Sequence, residues 1–109
     1  MSNATNLDGA VTLITGAGRG IGFGIAEVLS ERGSVIAISD LDAGAAGTAS
    51  DAINTSGGQA AAFRGDTTSQ DSMDALAAAV LQEFGRIDIL VCNAGVIGAP
   101  GYQDRAEHT

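Results

Sequence analysis

A glycine-rich segment joins the first apolar run of this chain to its first amphipathic segment. The apolar run is Val11 to Thr15, and the segment at 15–22 has the sequence TGAGRGIG. Glycines in such a turn let the backbone approach a ligand closely, and the N-terminus of the following helix offers unpaired N–H groups to an anion. The feature therefore predicts a parallel sheet whose first strand ends at a phosphate-binding turn.

Apolar runs and helical periodicity alternate along the rest of the chain. Strands are predicted at 11–15, 35–38, 60–64 and 89–91, and helices at about 20–32, 43–56 and 70–84. Ser69 is the expected N-cap of the third helix, and Gly33 is expected at positive φ after the first. The predicted buried stripe of the first helix consists of Ile21, Ile25, Val28 and Leu29.

This order of elements predicts an α/β fold. We expect a Rossmann-type, three-layer αβα arrangement with a parallel sheet of about four strands in the order 3-2-1-4. Right-handed crossovers then place the first two helices on one face and the third on the other. We assign 1–97 to a nucleotide-binding half of the full fold and 98–109, where the periodicity stops, to a flexible tail.

Charge and composition narrow the classes of partner. The net charge is −8, from 13 acidic residues against 5 basic ones, which disfavours nucleic acid and anionic membrane surfaces as ligands. The sequence has no run of 18 apolar residues and therefore predicts no membrane span, and its polar N-terminus does not resemble a signal peptide. A single cysteine, Cys92, fits the reducing cytoplasm, and we expect its thiol to be packed at the end of a buried strand.

Asp40 ends the second predicted strand, twenty residues after Gly20. A carboxylate at this place can accept hydrogen bonds from both hydroxyls of an adenosine ribose, and it repels a 2′-phosphate. The position therefore favours NAD over NADP, although an acid at a strand end can also be simply solvated. Arg19, inside the glycine turn, could pair with a 2′-phosphate and keeps NADP open as the less favoured cofactor.

Three motifs, each at the end of a predicted strand, resemble those of the short-chain dehydrogenase/reductase family. TGAGRGIG matches the pattern TGxxxGxG, Asp66-Thr67 follows the third strand, and Asn93-Ala94-Gly95 follows the fourth. The resemblance extends over about 9–97. The cofactor-binding residues that it implies are Gly16, Gly18, Arg19, Gly20, Ile21, Gly22, Asp40, Leu41, Asp66, Thr67, Asn93, Ala94 and Gly95.

The resemblance also implies a role for each group of residues. The backbone at 19–21 would contact the pyrophosphate, and Asp40 with Leu41 would frame the adenosine ribose. At 66–67, the aspartate would accept from the adenine amino group while the threonine donates. Residues 93–95 would line the cofactor cleft, with Asn93 also tying the fourth strand to its neighbour.

The chain departs from the family at the catalytic residues. Members use a serine and a tyrosine that precedes a lysine by four residues, and the lysine lowers the pKa of the tyrosine. Here the only tyrosine, Tyr102, is followed at that spacing by Ala106, and the sequence contains no lysine. We therefore predict no catalytic residue, and a lone His108 predicts no metal site.

The resemblance implies an NAD-dependent oxidoreductase that acts on an alcohol or carbonyl carbon. We expect this chain to be the N-terminal portion of such an enzyme, inactive alone, and the full-length form to be a homo-oligomer, either a dimer or a tetramer. A non-catalytic nucleotide-binding module and a subunit-docking module remain open, as does a methyltransferase, which also places a glycine turn and an acid after its first two strands.

Overall fold

A computed structural model describes residues 7–93, which form a parallel four-stranded sheet and three helices. The elements in chain order are β1 (Val11–Thr15), α1 (Gly20–Glu31), β2 (Val35–Asp40), α2 (Ala43–Thr55), β3 (Gln59–Arg64), α3 (Gln70–Phe84) and β4 (Ile89–Cys92). The strands lie in the order β3-β2-β1-β4, and every pair is parallel. The predicted α/β fold, its strand order and the position of each element are confirmed, while the expected tail at 98–109 lies outside the described residues.

The core occupies both faces of the sheet. On one face, side chains of β1 and β2 pack against α1 and α2, and this cluster contains Ile14, Ile36, Ile38, Ala26, Ala46, Ala49 and Ile53. On the other face the sheet packs against α3, through Val11, Leu13, Ala37, Leu76 and Val80. The central strand β1 is buried along its whole length. Its unbroken apolar pattern follows from this double coverage, because a strand with helices on both faces has no solvent side.

Helix α1 turns a different face to the sheet than its apolar stripe predicts. Ile21 is 65% exposed and Val28 is 49% exposed, whereas the buried residues of the helix are Gly22 and Ala26. Two small residues let the helix axis come close to the turn after β1, and this approach directs the larger side chains sideways or outward. The prediction of a buried stripe was therefore wrong for Ile21 and Val28, although Ile25 and Leu29 do pack against the core.

The ends of the helices follow local chemistry. The Oγ of Ser69 accepts a hydrogen bond from the Ser72 N–H at 3.1 Å and caps α3, as predicted. Gly33 follows α1 at φ 101°, also as predicted, and Gly85 ends α3 in the left-handed conformation. Within residues 7–93, no helix combines the length and apolar character needed to cross a membrane.

Strand β4 lies at one edge of the sheet and is only half covered. Leu90 is 56% exposed, and the Cys92 thiol is exposed as well. Among the described elements β4 pairs with β1 alone, and the cluster on the α3 face contains no β4 residue. The expectation of a packed thiol was wrong, because the strand that carries Cys92 has a solvent-facing side in this part of the chain.

Ser39, near the end of β2, carries a buried hydroxyl without a hydrogen-bond partner among residues 7–93. The residue is 1% exposed. A buried polar atom without a partner costs about 1–3 kcal/mol. We therefore predict that Ser39→Ala raises the free energy of unfolding by about 1 kcal/mol, or the melting temperature by about 5 °C, measured by thermal denaturation.

Ser34 supplies the matched control for this prediction. It is equally buried, but its hydroxyl donates to the Ala10 carbonyl and pairs with the Thr12 hydroxyl, both at 2.8 Å. Ser34→Ala should therefore destabilise the chain by about 1–3 kcal/mol, because it leaves the Ala10 carbonyl and the Thr12 hydroxyl without this hydrogen-bond partner. A melting temperature that falls in both variants would show that the Ser39 hydroxyl is satisfied in solution.

Candidate cofactor site

The carboxyl ends of all four strands meet at one edge of the sheet, because the strands are parallel. The glycine turn follows β1, Asp40 ends β2, Asp66 follows β3 closely, and Asn93 follows β4. The order β3-β2-β1-β4 reverses its direction of growth between β1 and β4, and ligands of open α/β sheets bind in the crevice at such a point. The fold thus brings the described candidate residues to the same side of the molecule.

Two hydrogen bonds donated by N–H groups of the turn after β1 hold it against β2. The Ala17 N–H donates to the Ser39 carbonyl at 3.0 Å, and the Gly18 N–H donates to Oδ2 of Asp40, also at 3.0 Å. A Cβ on Gly18 would lie 2.7 Å from this same oxygen and 2.7 Å from the Cβ of Ala45. Only glycine fits this position, because the turn packs directly against the Asp40 carboxylate and the start of α2.

The N-terminus of α1 lacks the side-chain cap that the other two helices have. Arg19 occupies the N-cap position without a capping hydrogen bond, and no acidic residue lies in the first turn. In contrast, Asp42 caps α2 and Ser69 caps α3. The first N–H groups of α1 therefore keep their donor capacity and the positive end of the helix dipole, which suits a phosphate.

Asp40 presents a carboxylate that the backbone holds in one orientation. Its Oδ2 accepts from Gly18 N–H and its Oδ1 accepts from Asp42 N–H, each at 3.0 Å. Because an ionised carboxylate offers about four lone-pair sites, both oxygens can accept further bonds from vicinal hydroxyls. The neighbouring Leu41 is 56% exposed and presents an apolar surface beside the carboxylate.

Asp42, two residues beyond Asp40, makes contacts that the sequence analysis did not predict. Its Oδ1 accepts from the Ala45 N–H at 3.1 Å, and its Oδ2 contacts Nη2 of Arg19 at 2.8 Å. The Ala45 amide, followed by the amide of Gly44 and the Arg19 guanidinium, lowers the pKa of Asp42 from its ordinary value of 3.8. An aspartate directly before an alanine-rich helix is a recognisable N-cap signal, so the first of these contacts could have been predicted.

Asp66 lies just beyond β3 in a local network of hydrogen bonds. Its Oδ1 accepts from both the hydroxyl and the N–H of Thr68, at 2.6 and 2.9 Å, and these two bonds lower the pKa of the carboxyl. The Asp66 N–H in turn donates to Oγ of Ser72 at 2.9 Å, which anchors the loop to α3. The neighbouring Thr67 is exposed, as a residue that contacts a ligand has to be.

Asn93 ties the end of β4 to the turn after β1, as predicted. Its Nδ2 donates to the Gly16 carbonyl at 3.1 Å, and its N–H donates to the Thr15 hydroxyl at 3.0 Å. Ala94 and Gly95, together with Tyr102 and His108, lie outside the described residues. Within residues 7–93, histidine, cysteine, aspartate and glutamate form no cluster of three that could hold a metal ion.

Comparison with known proteins places this chain in a family. The short chain dehydrogenase family model matches residues 10–109. The chain is 45% identical over 97 residues to 7alpha-hydroxysteroid dehydrogenase of Escherichia coli K12. The matched region covers 87% of this chain and 38% of that protein. The chain therefore spans well under half the length of this curated relative.

Solved structures agree with the sequence match. The crystal structure of hydroxysteroid dehydrogenase from Escherichia coli superposes with a TM-score of 0.84 at 44% identity, over 87% of this chain and 40% of that one. A short chain dehydrogenase/reductase from Burkholderia phymatum in complex with NAD gives a TM-score of 0.74 at 34% identity, over 78% and 30% of the two chains. The glycine turn, the parallel sheet and these matches together show that the chain belongs to the short chain dehydrogenase family of oxidoreductases.

Proposed function

We propose that this chain forms the adenosine and pyrophosphate half of an NAD site in an oxidoreductase that interconverts an alcohol and a carbonyl compound. The observation that carries the proposal is the oriented Asp40 carboxylate beside a glycine turn and an uncapped helix N-terminus. A dinucleotide offers two vicinal hydroxyls and a diphosphate at matching places. The structure of the Burkholderia phymatum relative, solved with NAD, supports the choice of a nicotinamide dinucleotide.

Each part of the cofactor then has its own residues. The N–H groups at 19–21 and the turn with Gly16 and Gly18 would hold the pyrophosphate, with Gly22 keeping the helix close to it. Asp40 and Leu41 would hold the adenosine ribose. The adenine would lie against the pair at 66–67, and the residues at 93–95 would line the cleft. Bound NAD would supply the hydride acceptor, and these residues orient it.

The charge beside the ribose favours NAD over NADP. The Asp40 carboxylate would lie next to the 2′ oxygen of the ribose that it binds, where a 2′-phosphate adds about −1.5 to −2 charge at neutral pH. Two anions in contact repel each other, and solvent and salt at the protein surface screen this repulsion only partly. We therefore propose NAD as the cofactor.

We further propose that turnover requires residues that this sequence lacks, because it contains neither lysine nor a tyrosine at the expected spacing. The complete enzyme would work as a homo-oligomer in the cytoplasm, as the family resemblance and the single cysteine indicate. The alcohol or carbonyl substrate would be held by parts of the enzyme beyond the residues described above.

Isothermal titration calorimetry tests the proposal directly. We predict that the 109-residue chain binds ADP-ribose and NAD with similar affinity, and NADP at least about tenfold more weakly because of the charge at Asp40. A hydride-transfer assay with the same material should show no reduction of NAD by alcohols. Absence of binding for all three ligands would contradict the cofactor site, and turnover would contradict the proposed need for further residues.

A subunit-docking module is the second candidate, and the edge strand favours it. Leu90 on β4 is 56% exposed, and within residues 7–93 no strand pairs with the outer edge of β4, which leaves apolar surface beside that edge. Docking alone predicts a chain that binds no nucleotide, whereas a non-catalytic nucleotide-binding module predicts nucleotide binding and no turnover even in the complete protein. Family membership leaves the methyltransferase alternative without support.

A further inference from the structure

An ion pair connects the glycine turn to the start of α2, next to Asp40. Nη2 of Arg19 lies 2.8 Å from Oδ2 of Asp42, and the two side chains are 70% and 56% exposed. Arg19 occupies the N-cap position of α1 and Asp42 the N-cap position of α2. The pair therefore spans the gap between the two helix starts on the side of the turn where Asp40 lies.

Asp42 is the fixed member of this pair. Its Oδ1 caps α2 through the Ala45 N–H at 3.1 Å, and its own N–H donates to Oδ1 of Asp40 at 3.0 Å. With one oxygen held by the cap, the carboxylate presents the other toward the glycine turn. The long arginine side chain is the part that adapts, so the position of Asp42 decides where the guanidinium lies.

Asp40, Asp42 and Arg19 together carry a net charge of −1, and Arg64 of β3 lies opposite Asp40 in the sheet. The Asp42 carboxylate engages the Arg19 guanidinium, whereas the oxygens of Asp40 accept from backbone N–H groups. A 2′-phosphate on the adenosine ribose would need a cation, and Arg19 is the cation that the turn itself carries. To reach the phosphate, Arg19 would have to leave Asp42, and Asp42 would stay behind as a second repulsive charge.

We propose that Asp42 is a specificity-determining residue, which disfavours NADP by binding the Arg19 guanidinium and withholding it from a 2′-phosphate. This inference rests on the proposed cofactor site and adds a second determinant to the direct repulsion by Asp40. Exposed ion pairs are weak, so the withholding of Arg19 supplies one part of the discrimination, and the repulsion between Asp42 and the 2′-phosphate supplies the other.

The test compares two ligands that differ only in the 2′-phosphate. Calorimetry with ADP-ribose and with 2′-phospho-ADP-ribose gives a discrimination ratio for each variant. Asp42→Asn keeps a side-chain oxygen for the cap and removes the charge. We expect it to raise the affinity for the 2′-phosphorylated ligand about tenfold, as the loss of one repulsive charge and the release of one cation imply, and to leave ADP-ribose within about twofold.

Two further variants make the test specific. Asp51→Asn changes the net charge by the same amount on the exposed side of α2, nine residues further along, and should leave the ratio unchanged. The gain from Asp42→Asn should be clearly smaller when it is measured in an Arg19→Ala background, where only the repulsion by Asp42 is removed. A gain as large in that background as in the presence of Arg19 would show that Asp42 does not act through Arg19, as when another cation such as Arg64 opposite Asp40 in the sheet is used, and would overturn the inference.

The remaining outcomes separate this inference from the proposed function. Binding of ADP-ribose with an unchanged ratio in Asp42→Asn, or an equal change in Asp51→Asn, contradicts the role of Asp42 and leaves the cofactor site intact. If the unaltered chain does not bind ADP-ribose, the proposed function fails, and the inference fails with it. Circular dichroism and thermal melting of each variant verify that α2 keeps its cap.

Discussion

Replacing Gly22 by alanine is expected to destabilise this chain more than any other single methyl group added to α1. The new Cβ would overlap the Gly16 carbonyl oxygen and would lie 2.8 Å from Nδ2 of Asn93 and 3.0 Å from Cα of Ala17. Two of these neighbours are backbone atoms of the glycine turn, so they cannot rotate away. We expect the free energy of unfolding to fall by about 3 kcal/mol, or the melting temperature by roughly 15 °C.

The same substitution should also weaken cofactor binding. To relieve the overlap, α1 has to move away from the turn or the Asn93–Gly16 hydrogen bond has to break. Either change displaces the N–H groups that would hold the pyrophosphate, and we expect a loss of at least about tenfold in ADP-ribose affinity. Thermal melting and calorimetry measure the two effects on the same preparation.

Gly24, two residues further along α1, provides the control. A Cβ at Gly24 would meet nothing within 4 Å, and the residue lies inside the same helix. Gly24→Ala should therefore stabilise the chain by up to about 1 kcal/mol, because alanine has the higher helix propensity. Similar melting temperatures for the two alanine variants would contradict the close approach of α1 to the turn.

Replacing Asp40 by alanine is expected to lower the affinity for NAD about 10- to 100-fold. The substitution removes the charged acceptor proposed for the two ribose hydroxyls, and hydrogen bonds to charged groups are the stronger ones. It also releases the Gly18 and Asp42 N–H groups that the carboxylate now holds. Calorimetry with NAD measures the total loss.

A ligand without the hydroxyls separates the direct contribution from the indirect one. 2′,3′-Dideoxy-ADP has no ribose hydroxyls for Asp40 to bind. Asp40→Ala should therefore lower the affinity for this ligand only by the amount that the loosened turn accounts for. A clearly larger loss for ADP than for the dideoxy ligand identifies Asp40 as the ribose-binding residue. Equal losses would mean that Asp40 acts only on the turn, and an unchanged affinity for NAD would contradict the proposed site.

Much of the fold was predictable because its signals are local. The apolar runs, the helical periodicity and the helix-ending residues Ser69 and Gly33 each depend on neighbours within a few positions, and the structure confirms them. Given the order 3-2-1-4, the handedness of crossovers predicted which helices share a face of the sheet, and the two core clusters confirm it. The tie between Asn93 and the strand next to β4 was implied by the resemblance to the family, and the structure shows it.

The site was predictable in outline and not in its contacts. The sequence placed Asp40 at the end of β2, but the bonds that orient it come from Gly18 and from Asp42, which is also the residue that binds Arg19. A single arginine in a glycine turn gives no sign of its partner 23 positions away. That pairing depends on the distance between two helix starts, which exists only once both helices pack on the sheet.

The sequence by itself therefore determined the order of the elements, the turn with its glycines and the acid at the end of the second strand. Tertiary structure alone decided that Gly22 and Ala26, not Ile21 and Val28, face the sheet, and that Cys92 is exposed. The physical reason is the range of the interactions. Hydrogen bonding and periodicity act within one element, whereas the burial of a side chain depends on which other element comes close enough to cover it.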